Sequence, residues 1–99
     1  MTMRAEEVVQ VGSAALREYR VLGYDDLAAL VVSDTVRTRW LSGESGVEYQ
    51  VEVLIQWDDA PGGAIRVSAF VDDGRLRSTI RPSLGDEFIV APDGSFLGE

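Results

Sequence analysis

The stretch VEYQVEVLIQW, residues 47–57, puts Val47, Tyr49, Val51, Val53, Ile55 and Trp57 on alternate positions. Only Leu54 interrupts the polar set between them. A period of two lines up one face of an extended strand, whereas a helix would scatter these residues around its axis. Just upstream, VVSDTVRTRWL (31–41) alternates from residue 32, and GESG separates the two runs after Ser42. The chain is therefore committed to an antiparallel hairpin.

If all four residues of GESG form the turn, Ser42 pairs with Val47. Trp40 then faces Tyr49, Val36 faces Val53, Val32 faces Trp57, and Asp34 faces Ile55. On the other side Arg37 meets Glu52 and Arg39 meets Gln50, so this register suits both faces. It collects Asp34, Thr38, Trp40, Tyr49 and Trp57 on the apolar face.

Residues 3–22 carry a helical stripe instead, with Val8, Val11, Ala15, Tyr19 and Leu22 three or four apart. Glu6 and Glu7 near its start and Arg17 and Arg20 near its end suit the helix dipole. Gly23 stands where a helix-ending glycine is expected. YDDLAAL (24–30) reads as a short helical turn capped by Asp25.

After the hairpin, AIRVSAFV (64–71) reads as a third strand, turning at Asp73-Gly74 into RLRSTIR. In that arrangement Leu76 faces Val71 and Ile80 faces Val67. FIVA (88–91), a PDG turn and a terminal FLG follow. One helix and then a run of strands predicts a single α+β domain over residues 1–99. Its architecture is one long N-terminal helix across a curved antiparallel meander of four to five strands. In outline this resembles the cystatin-like and nuclear-transport-factor-like architectures, by shape only, since no motif matches either family.

Composition closes several chemistries. Cysteine, histidine and lysine are all missing, so all nine basic residues are arginine. Disulfides, thiolate nucleophiles, Ser-His dyads, His/Cys zinc sites and Schiff-base lysines are excluded. No cofactor is expected. The net charge is −8, with eleven acids against four arginines in residues 42–99. Nucleic acid needs the opposite sign and is not an expected partner. No apolar run is long enough to span a membrane, and the expected compartment is the cytoplasm.

Asp58 and Asp59 sit in a Pro/Gly turn, DDAPGG, and read as its solvated tip. Acidic pairs recur at 72–73 and 86–87. The expected topology crowds Asp25, Asp26, Asp34, Asp58, Asp59, Asp86 and Glu87 at one end of the sheet. No spacing among them matches a calcium loop, and no metal site is expected.

Two functions fit these residues, and neither establishes an enzyme. The first is a non-enzymatic interaction module, a homodimer through an outer sheet face bearing Leu41, Leu54, Phe70, Arg37 and Arg77. A basic protein partner is the related possibility, given the acidic surface. The second is a small-molecule-binding cone lined by Asp34, Thr38, Trp40, Tyr49 and Trp57, with acid–base chemistry at Asp34. A carboxylate among aromatic side chains has a raised pKa and can exchange a proton.

Overall fold

The computed structural model describes residues 5–33, 35–72 and 83–98. Two helices, α1 (Ala5–Arg20) and α2 (Tyr24–Ser33), precede the strands β1 (Val36–Ser42), β2 (Glu48–Trp57), β3 (Ile65–Asp72), β4 (Ser83–Val90) and β5 (Phe96–Leu97). The strands form one antiparallel sheet in the order β1-β2-β3-β4-β5. The class is α+β, with both helices on the same face of an open five-stranded meander. No helix among the described residues is long and apolar enough to cross a membrane.

The core lies between α1 and the sheet. Val8, Val11, Ala15, Leu16 and Tyr19 of α1 are buried against Tyr49, Val51, Val53 and Ile55 of β2. Ile65, Val67, Ala69 and Val71 of β3 and Phe88 and Val90 of β4 complete it. The helical stripe and the strand alternation thus meet face to face. Burying each such large aliphatic side chain contributes roughly 1.5–3 kcal/mol.

α1 approaches the sheet most closely at β4. A Cβ on Gly12 would lie 2.8 Å from the Cα and carbonyl carbon of Gly85, and one on Gly85 would lie 2.7 Å from the Val8 carbonyl oxygen. Two glycines therefore let helix and strand backbones touch. Gly85 is also the extra residue of a β-bulge, because pairing shifts between Ala69↔Asp86 and Phe70↔Leu84. The bulge turns Asp86 inward, where it accepts from Ser13 Oγ at 2.9 Å and meets Arg20 at 3.4 Å. Arg20 in turn lies 4.7 Å from the Phe88 ring centre, and Phe88 packs edge-on against Phe96.

Four expectations need correction. The second helix is a full ten residues, not a turn. Leu27, Leu30 and Val31 follow helical spacing towards the core, so Val32 and Ser33 end a helix rather than begin a strand. Gly23 has no left-handed conformation; its carbonyl accepts the Leu27 N–H at 3.1 Å, so it opens α2, and Asp25 lies in the first turn rather than at the cap. Val71 and Val67 pair with Ser83 and Phe88 of β4; Leu76 and Ile80, the partners expected for them, lie outside the described residues. The RLRSTIR run and the Asp73-Gly74 turn lie outside the described residues.

The fourth correction concerns the first hairpin. The observed register is Leu41↔Tyr49, Arg39↔Val51 and Arg37↔Val53, one residue away from the expected one. The Gly43 N–H reaches the Val47 carbonyl at 2.8 Å, and Gly46 adopts φ 89°. The loop is therefore three residues, a type I turn followed by a left-handed glycine, rather than four. A slip of one residue exchanges the two faces of a strand. Val36, Thr38 and Trp40 consequently point away from the helices, and Arg37, Arg39 and Leu41 point towards them.

Candidate functional site

Antiparallel pairing lays the outer face out in rows. Trp40, Gln50 and Asp72 form one; Thr38, Glu52, Phe70 and Leu84 form the next. Val36, Leu54, Ser68 and Glu87 follow, and then Gln56, Arg66, Ile89 and Leu97. No helix among the described residues covers this surface. Trp40 is 54% exposed and Leu84 48%. Val36 and Leu97 are exposed, while Leu54, Phe70 and Ile89 are half-buried. Apolar side chains left in solvent together make this face the candidate contact surface.

Charge on this face is one-sided among the described residues. Arg66 is held from both sides, by Asp58 at 2.7 Å and Glu87 at 3.0 Å. The hydrogen bond to Asp58, and then that to Glu87, hold its guanidinium pKa above the ordinary value. Ser68, fully buried under the face, donates to Glu87 at 3.2 Å. Glu48, Glu52 and Asp72 have no ion pair among the described residues.

The expected interaction residues divide between the two faces. Leu54 and Phe70 lie on the outer one. Leu41 and Arg37 lie on the helix side, opposite Tyr49 and Val53, because of the hairpin register. Arg39 is there too and pairs with Glu18 of α1. Arg77 lies outside the described residues. Trp40, assigned by its sequence position to the inner side, is the most exposed large hydrophobic side chain of the described outer surface.

The expected ligand-lining set does not share a face. Thr38 and Trp40 are outside; Tyr49 and Trp57 are inside, buried and half-buried. Asp34 lies outside the described residues. The acidic rim also separates. Asp86 faces α1 and Glu87 faces outward from within β4, and Asp58 is engaged by Arg66. Among the described residues no group of three or more potential ligands could hold a metal ion.

One constellation escaped the sequence reading. Glu7 is 5% exposed, and its carboxylate accepts from the Ser45 N–H at 2.9 Å, the Ser45 hydroxyl at 2.7 Å and the Tyr49 hydroxyl at 2.5 Å. It fastens the first turn of α1 to the β1–β2 loop. Beside it a groove of about 370 Å³ is lined by Glu6, Glu7, Gln10, Glu44 and Ser45. A second, of about 390 Å³, runs along Gln10, Val11, Ala14 and Leu41. The carboxylate oxygens are already engaged by donors, which suits a structural anchor better than a proton-transfer group. Tyr24 adds a similar tie, its hydroxyl donating to the Gly63 carbonyl at 2.6 Å.

Comparison with protein-family models, curated proteins and solved structures finds no match to this chain. The cystatin-like and nuclear-transport-factor-like outline accordingly has no structural neighbour behind it.

Proposed function

We propose that this protein is a non-enzymatic interaction module whose working surface is the outer face of its sheet. The observation that supports this is the uncovered row structure around Trp40, Phe70, Leu54 and Leu84. The opposite face is closed by a packed core in which Tyr49, Val51, Val53 and Ile55 are each at most 1% exposed. The expected compartment for this contact remains the cytoplasm.

A second copy is the partner first expected for such a face. That arrangement relied on arginines beside Leu54 and Phe70. Arg37 is on the helix side, and Arg66 is already engaged. A homodimer through this face therefore rests on apolar contact alone among the described residues.

Site-specific photocrosslinking in cells that make the protein tests the reading. A benzophenone side chain at position 40 or 70 probes the outer face, and one at Val21 or Asp25 probes the exposed helix side. Discrete adducts from 40 and 70 alone are the expected result, and an adduct of twice the chain mass identifies a homodimer. Equal labelling from both sides, or none from the outer face, would overturn it.

A further inference from the structure

We infer that the outer face receives a cationic amphipathic helix of another protein. The inference rests on that face being the working surface and goes on to name its occupant. Its apolar side chains lie on Phe70, Leu54 and Leu84, and its arginines or lysines reach Glu48, Glu52 and Asp72.

The corrected hairpin register is what leads here. Had Arg37 and Arg39 shared a face with Leu54 and Phe70, that surface would be apolar and close to neutral. They lie on the helix side instead, and Trp40 takes their place outside. Among the described residues the outer face is then apolar and acidic. Its one described arginine, Arg66, is held by Asp58 and Glu87.

The geometry sets the three remaining acids around the aromatic centre. Glu52 stands directly between Thr38 and Phe70, and Asp72 stands one row further on, across from Gln50 in the row of Trp40. Glu48 is two residues along β2 from Gln50. Neighbouring strands lie about 4.8 Å apart and successive rows about 7 Å apart. The acids therefore fall within about one Debye length of their neighbours and attract a cation together.

Charge sign disposes of the competing occupants. Nucleic acid and anionic lipid surfaces are repelled by this patch. A second copy would bring Glu48, Glu52 and Asp72 against like charges across a twofold axis, with Arg66 already engaged. A helix suits the space because the sheet's other face already takes one, α1, and a flat strand face packs a helix of matching stripe. A basic stripe beside an apolar one satisfies both parts of the surface at once.

The test uses a labelled synthetic peptide of leucine and lysine in an amphipathic helical pattern, with a leucine–glutamate peptide of the same pattern as control. Fluorescence anisotropy at low ionic strength reads binding to the full chain. Three proteins are compared: the parent, an outer triple variant Glu48→Gln/Glu52→Gln/Asp72→Asn, and a helix-side triple variant Glu6→Gln/Asp25→Asn/Asp26→Asn that removes the same charge. The lysine peptide should bind the parent and lose about tenfold in affinity on the outer variant, as expected for three surface pairs together. The helix-side variant should lose about twofold or less through net charge alone. Equal loss on both variants, or equal binding of the glutamate peptide, overturns the cationic partner. Absence of lysine-peptide binding alongside crosslinks from positions 40 and 70 also overturns it while leaving the outer face as the working surface. A crosslink of twice the chain mass from those positions assigns the face to a second copy instead.

Discussion

Glu7 shows how a single side chain can be misread from its charge. Early in a helix, a glutamate is the residue the dipole favours, and that explanation suffices for Glu6, which is exposed. Yet stepping back by fours from Tyr19 through Ala15 and Val11 arrives at Glu7, so it belongs to the buried stripe. The signal was in the spacing; what the spacing lacked was the donor set, which comes from a loop and a strand nearly forty residues away. Tyr49→Phe removes one donor to a buried charged acceptor and should destabilise by about 1.5–3 kcal/mol. Urea unfolding reads this directly, and Ser45→Ala in a double-mutant cycle should show coupling, because both bonds end on the same carboxylate. Additive effects would mean that the two hydroxyls act separately.

Between elements, close approach decides more than propensity. Alanine is a better helix former than glycine by about 1 kcal/mol, so Gly12 in the middle of α1 is unfavourable taken alone. The Cβ it omits would strike the backbone of the Gly85 bulge at 2.8 Å. Overpacking of this kind costs about 1–3 kcal/mol and more when, as here, no side chain can rotate aside. Gly12→Ala should therefore lower the urea midpoint despite its propensity, and a raised midpoint would show that the bulge gives way. Helix α1, the β2 and β3 faces and the α+β class were legible because each repeats a period over many residues. The hairpin register was not, since two registers differing by one residue both gave plausible partners. The choice between them rested on Gly46, whose left-handed conformation makes a three-residue loop. The candidate site inherited the error: Leu54 and Phe70 were placed by strong alternation in β2 and β3, while Leu41, Arg37, Thr38 and Trp40 all depended on that loop.

At the scale of the whole molecule, the described acids expected to crowd one rim are separated from one another. Asp86 is turned to α1 by the bulge, Glu87 and Asp58 embrace Arg66, and Asp25 and Asp26 sit exposed at the start of α2. A chain of net charge −8 still repels itself, so added salt should raise its melting temperature somewhat. Millimolar calcium should do no more than a monovalent salt of equal ionic strength, because a specific ion stabilises only by binding the native state. A calcium-specific rise of several degrees in a thermal scan would contradict this dispersal. The loop closed by Gly46 reaches further still. Gain or loss of one codon between Gly43 and Val47 would exchange the two sides of all seven residues of β1. Trp40 would turn in against α1, and Arg39 and Leu41 would turn out, with no strand residue altered. Most protein surfaces drift one side chain at a time; this one can be re-lettered by a single indel, in one generation, and offered to a different partner.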